Sequence, residues 1–167
     1  MGEPLVLAVD LGTSGCKAAV IDLAGTLLAT GRASVETLRL EDGGVEQDPQ
    51  RVWAAVLEAC RLALAGSGRA ADVSVVAIDS QYSSLIPVDG EGRPTMNMIL
   101  WQDGRGAPSA LGIPNGPLTQ LRWIYRHGIP PLDSGLDSLS HARFLALRRP
   151  EIYARTKTLL EPADYLA

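Results

Sequence analysis

Val9-Asp10-Leu11-Gly12-Thr13-Ser14-Gly15-Cys16-Lys17 is the stretch that decides the fold. The apolar run Leu5 to Val9 leads into it, and a second run, Ala18 to Ile21, leads out. Both runs are short and bounded by turn residues, which predicts two buried strands joined by a tight turn. Glycine lets another group approach the backbone closely, and Gly12 and Gly15 flank this turn. Successive free backbone N–H groups make a concavity suited to an anion, and Thr13 and Ser14 add hydroxyl donors. Asp10 repels an anion directly, but a divalent cation such as Mg²⁺ bridges a carboxylate and a phosphate. The same residues also suit a plain hairpin in which Asp and Gly serve geometry alone. Neither G-x-x-x-x-G-K-[ST] nor G-x-G-x-x-G is present, and those loops open a helix where this one opens a strand.

The 167 residues suffice for one domain with a hydrophobic core, and 46% hydrophobic against 20% charged excludes a disordered chain. The net charge is −4 and no basic cluster tracks a nucleic-acid backbone, so no nucleic-acid partner is expected. Cys16 and Cys60 fit neither a disulfide framework nor a metal site, and each reads as a small buried apolar residue. No apolar run reaches transmembrane length and the first residues lack a secretory pattern, so a cytoplasmic protein without a membrane partner is expected.

A third strand is expected over Leu27 to Val35, completing an antiparallel meander. Asp48-Pro49 reads as an N-cap and first helical position. The helix it opens, Pro49 to Ala65, is expected to bury Val52, Trp53, Val56, Leu57, Cys60 and Leu64. Val73 to Asp79 is a buried strand expected to run parallel to Leu5–Val9, because a helix precedes it. Leu85 to Val88 and Asn97 to Trp101 are further strands. Arg105 to Pro117 reads as loop, Leu118 to Tyr125 and Leu139 to Arg149 as helices, and Gly128 to Gly135 as irregular. Pro150-Glu151 starts a short helix, Thr158 to Leu160 a last strand and Ala163 to Ala167 a last helix.

Motif by motif, the chain resembles the N-terminal domain of the FGGY carbohydrate kinases, in the actin-like ATPase superfamily. Asp10-Leu11-Gly12-Thr13-Ser14 resembles their first phosphate motif, and Val45-Glu46-Gln47-Asp48-Pro49 with Trp53 their E-Q/H-D-P before the first long helix. Ile78 through Asp89 resembles a segment carrying sugar contacts, and Ile99 through Arg105 their I-x-W-x-D-x-R. Arg149 through Tyr153 and Leu160 through Leu166 resemble P-E-I-(F/Y) and the closing D-Y-L. The resemblance implies an α/β, ribonuclease H-like fold with a mixed five-stranded sheet and helices on both faces, all of 1–167 being one N-terminal domain. It implies ATP and Mg²⁺ as cofactors, with Asp10 holding the metal through water and Gly12, Thr13, Ser14 and Lys17 meeting the phosphates. Gln81, Tyr82, Ser83, Trp101, Asp103 and Arg105 would contact a sugar or polyol, although Asp103 and Arg105 also suit an ion pair with each other.

Xylulose and gluconate kinases of the family carry Met-His where this chain has Tyr82-Ser83, which implies a different hydroxyl pattern or substrate size. The family's catalytic aspartate and adenosine-binding domain lie downstream of the D-Y-L segment, so the 167 residues alone are expected to be inactive. Trp101 is expected to be partly accessible, and the chain to self-associate or bind its missing C-terminal domain. A non-catalytic nucleotide-binding or interaction module on the same fold is the alternative, and an actin-like ATPase that binds no sugar is a third reading.

Overall fold

The computed structural model describes residues 2–112, 116–128 and 133–167. Parts of the loop expected at Arg105–Pro117 and of the irregular segment at Gly128–Gly135 lie outside the described residues.

The chain forms two compact units, the first comprising Met1–Thr37, Gln47–Tyr82 and Leu160–Ala167. Its sheet begins with β1 (Leu5–Gly12) antiparallel to β2 (Gly15–Asp22), which is antiparallel to β3 (Leu27–Ser34). Two short strands, β4 (Leu38–Arg39) and β5 (Val45–Gln47), precede the helix α1 (Pro49–Ser67). Then β6 (Val73–Ser80) returns beside β1, parallel to it, giving the order β3-β2-β1-β6. This is the expected topology, with β1 interior and paired on both sides. The sheet has four strands among the described residues, not the expected five. The later apolar runs are used in the second unit, where β7 (Ile86–Val88) pairs with β9 (Thr158–Leu160) and β8 (Met98–Ile99) with β5.

The Asp48 carboxylate caps α1 by accepting from the Gln50 amide, and Gly68 ends it at φ 63°. The helix buries Val52, Ala55, Val56, Ala59 and Ala63, a narrower and smaller face than expected. Trp53 and Leu57 instead stand 42% and 52% exposed. The reason lies in β3: a Cβ on Gly31 would collide with the Ala59 carbonyl and the Ala63 amide. Helix and strand backbones touch there, which only small side chains permit.

The sheet carries α1 on one face, where Leu5, Leu7, Val9 and Leu11 are buried, and a groove on the other. The groove, of about 420 Å³, is lined in part by Ala8, Asp10, Lys17, Ala19, Thr30, Arg32, Ala77 and Asp79. The last helix, α6 (Pro162–Leu166), meets the sheet at β6.

The second unit comprises Leu38–Glu46 and Ser83–Leu159. Besides its short strands it holds α2 (Pro108–Leu111), α3 (Pro117–His127), α4 (Ser138–Arg148) and α5 (Pro150–Arg155). Leu85, Ile99, Phe144 and Leu145 form a core, with Met96, Ala142, Ile152 and Leu159 packed against it. Among the described residues, no helix is long and apolar enough to cross a membrane.

A Gly31→Ala substitution forces α1 off β3 and is expected to cost about 1–3 kcal/mol, the usual range for overpacking. Urea unfolding of the two proteins reads the difference.

Candidate functional site

The β1–β2 turn consists of Thr13 and Ser14, closed by the pair Gly12 and Gly15. Gly15 has φ 146°, and a Cβ there would strike the Ala33 carbonyl, so this position requires glycine. The turn is held from beneath by three groups of the first unit. Gln47, fully buried, donates from Nε2 to the Thr13 carbonyl at 2.7 Å and to Thr37 Oγ1 at 3.1 Å. The Val35 amide donates to the Ser14 carbonyl at 3.1 Å. The Thr13 hydroxyl donates to Gln81 Oε1 at 3.0 Å, while the Gln81 amide donates to the Leu11 carbonyl at 2.7 Å. Gln81 thus stands under the turn, supporting Thr13. Two atoms of this network, Gln47 Oε1 and Gln81 Nε2, are buried with no partner among the described residues. Such orphaned groups typically cost ~1–3 kcal/mol each and call for a reason.

Asp10 lies three residues before Thr13, in register with Lys17 on β2 and Asp79 on β6, and Lys17 in turn with Arg32 on β3. Two cationic and two anionic residues therefore form one row across the sheet. Lys17 Nζ stands 3.5 Å from Asp10 Oδ2, with side chains 62% and 55% exposed. A pair this exposed holds neither partner firmly. Asp10 offers a hard oxygen donor in the open, beside Asp79, which suits an octahedral Mg²⁺ that keeps most of its waters. No cluster of three or more His, Cys, Asp or Glu side chains suited to a metal occurs among the described residues. The donor set therefore fits a metal shared with phosphate oxygens rather than one enclosed by protein.

Tyr82 is 79% exposed and ends the middle segment of the first unit. In the second unit, Ser83 is buried and takes φ 58°, the one non-glycine residue with positive φ among those described. A non-glycine residue in that region carries strain that the surroundings must hold. Ser84 is fully buried and its Oγ accepts from the Trp101 amide at 3.2 Å. Trp101 is 40% exposed, as the sequence led one to expect.

Asp103 and Arg105 are placed differently from Trp101. Asp103 is 1% exposed, and both its oxygens are taken. Oδ1 accepts from the Arg105 amide and Nε at 3.0 and 3.1 Å, and Oδ2 from the Val45 amide at 3.0 Å and Arg105 Nη2 at 2.7 Å. Arg105 also donates to Glu46 Oε1 at 2.6 Å and Asp42 Oδ2 at 3.2 Å, and its guanidinium lies 4.4 Å from the Phe144 ring centroid. Burial works to lower the guanidinium's pKa, but its bonds to Asp103 and Glu46 outweigh that and push it up. Asp103 and Arg105 thus form the ion pair that the sequence offered beside a substrate contact. Their carboxylate and guanidinium are spent on holding the loop that follows Trp101.

His141 on α4 completes this loop's support. It is fully buried, and Nε2 lies 3.0 Å from the Asp103 carbonyl, which can only accept, so Nε2 carries the proton. Nδ1 is buried without a partner, and burial lowers the ring's pKa. Sequence reasoning missed His141, Asp42 and Glu46 in this cluster because their partners lie 38 to 63 positions away. Gln47 was visible in a motif, but nothing in the sequence pointed it at Thr13.

Compared with known proteins, residues 5–167 match the model of the FGGY family of carbohydrate kinases, N-terminal domain. The chain is 33% identical over 165 residues to the xylulose kinase of Streptomyces rubiginosus, covering 98% of this chain and 33% of the relative. It is 38% identical over 110 residues to the glycerol kinase of Rhodospirillum centenum, covering 64% of this chain and 22% of that one. The crystal structure of xylulose kinase from Bifidobacterium adolescentis superposes with a TM-score of 0.79 at 26% identity, over 98% of this chain and 33% of that one. The chain thus spans about a third of the length of the xylulose kinases it matches.

Two outcomes follow from the second unit's buried charges. Arg105→Met leaves carboxylates buried without their cation and is expected to cost about 3–5 kcal/mol in denaturant unfolding. His141 binds its proton less readily folded than unfolded, so the unfolded chain takes up protons first as pH falls below about 6.5. Stability is therefore complete above that pH and declines below it, and His141→Gln is expected to flatten this part of the stability–pH curve.

Proposed function

The chain belongs to the FGGY family of carbohydrate kinases, and on that premise we propose that it is the phosphate- and sugar-binding N-terminal domain of an ATP-dependent kinase acting on a sugar or polyol. The observation that carries this reading is the β1–β2 turn. Its two carbonyls are tied inward to Gln47 and Val35, and Ser14 is exposed at its tip. Gly12, Thr13 and Ser14 form the wall for the terminal phosphates of ATP, with the amides and the Ser14 hydroxyl as donors. Asp10 would hold Mg²⁺, its exposed carboxylate supplying a hard oxygen donor. When bound, the metal neutralises charge on the transferring phosphoryl group, and positioning and neutralisation supply most of the catalysis in such reactions. Lys17, only loosely paired with Asp10, is free to turn toward added negative charge.

For the acceptor, Trp101 in the second unit presents an accessible apolar ring face to the C–H groups of a sugar, while Tyr82 in the first carries an exposed hydroxyl and Ser83 is buried. Gln81 acts through Thr13, and Asp103 and Arg105 through the loop they brace. The relatives it matches are about three times as long, and the adenosine site is assigned to a further domain in that added length. A cytoplasmic location is part of the same proposal, and no described helix is long and apolar enough to cross a membrane.

Amide-resolved NMR titration tests the reading. Mg-ATP is expected to shift Gly12, Thr13 and Ser14, and Asp10→Asn to remove most of the Mg²⁺-dependent gain in affinity, about tenfold. Shifts confined to residues remote from the turn would overturn it.

A further inference from the structure

Gln47 was not among the site residues expected from the sequence, yet it makes the closest contact with the turn from beneath. A backbone carbonyl can only accept, so the group 2.7 Å from the Thr13 oxygen is the Gln47 amide nitrogen, with no ambiguity of orientation. The peptide bond is planar and trans, so the Thr13 C=O and the Ser14 N–H lie in one rigid plane and point in opposite directions. Drawing the carbonyl down to a fully buried side chain therefore turns the Ser14 N–H up, away from the core. None of the described residues accepts from that amide, and Ser14 is exposed. The Val35 amide fixes the next plane by the same logic, binding the Ser14 carbonyl.

We infer that Gln47 is a positioning residue for phosphate binding: by holding the Thr13 carbonyl it fixes the Thr13–Ser14 peptide with the Ser14 N–H presented to an anion. The inference rests on the proposed phosphate role of the turn. Its second support is the geometry of Gln47 itself. Thr37 Oγ1 at 3.1 Å anchors the same nitrogen, and Oε1 remains buried and unpartnered. A side chain that served packing alone would be better replaced by an apolar one of equal length, which leaves no acceptor unsatisfied. The Thr13 hydroxyl is likewise committed, since its proton goes to Gln81, so Thr13 contributes its backbone rather than a hydroxyl donor.

The test uses Gln47→Met, which keeps length and volume and removes the donor, with inorganic tripolyphosphate and Mg²⁺ as the probe. In the unsubstituted chain the Ser14 amide is expected to be as ordered on the nanosecond scale as β1, and to shift on titration. In Gln47→Met the order at Ser14 is expected to fall and the tripolyphosphate Kd to rise about tenfold, with spectra beyond the turn unchanged. Thr37→Val, which removes the second anchor of Gln47 without touching the turn, is expected to show the same pattern at about threefold, and it carries the test should Gln47→Met not fold. Order and affinity at Ser14 equal to the unsubstituted chain in the variants overturn the role of Gln47. Failure of the unsubstituted chain's Ser14 to respond to tripolyphosphate overturns the phosphate reading instead, whatever the variants do.

Discussion

The first unit is built around the double pairing of β1, antiparallel to β2 on one side and parallel to β6 on the other. A parallel neighbour cannot be reached by a hairpin, so the chain must travel back along the sheet before β6 begins. β3 ends at Ser34, opposite Gly15, at the turn end of the sheet, whereas β6 begins at Val73, opposite Leu5, at the far end. The crossover helix α1 therefore has to start at the turn end. Residues immediately before it arrive beside Thr13 and Ser14 as a matter of topology. The pairing pattern of one strand thus brings a residue 34 positions away under the turn.

The crossover can work only if α1 lies close to the sheet, and the sequence meets this with small residues on both surfaces. Ala55, Ala59 and Ala63 face a strand that carries Gly31 at the point of contact. A face of alanines buries less apolar area per residue than one of leucines. It gains a close, well-defined approach that larger side chains would forbid. That trade explains why the larger apolar side chains Trp53 and Leu57 point outward. Periodicity alone favoured a face including them, because it weighs hydrophobicity and ignores how near the partner must come.

Local pattern made β1, β2, β3, α1, β6 and β9 legible, since each is a run with its own turn or cap signals. The resemblance to a kinase family was legible because its motifs recur in order. Side-chain partnerships were not. Asp103-Gly104-Arg105 displays a carboxylate and a guanidinium two residues apart, which suits either a ligand or each other. The ion pair's further partners, Glu46, Asp42 and Phe144, are gathered from far along the chain. His141 carried no signal, being a single histidine in an amphipathic helix whose partner is a main-chain carbonyl. The strand count failed for a related reason, as apolar runs state that a strand will form and not which sheet receives it.

The pair Glu46 and Gln47 shows how adjacent residues of one short motif do separate work. They are consecutive on β5, where successive side chains leave on opposite faces. Glu46 is spent on the Arg105 guanidinium, and Gln47 on the Thr13 carbonyl. Neither task tolerates exchange of the two side chains. A glutamate beneath Thr13 has no proton to give its carbonyl, and a glutamine against Arg105 cannot neutralise a buried cation. Charge is thus placed where a buried ion must be balanced, and a neutral donor where a carbonyl must be held. The neutral choice has a further consequence for the turn. A carboxylate at Gln47 would set a buried negative charge directly behind the amides offered to an anion, weakening the field on which anion binding there depends.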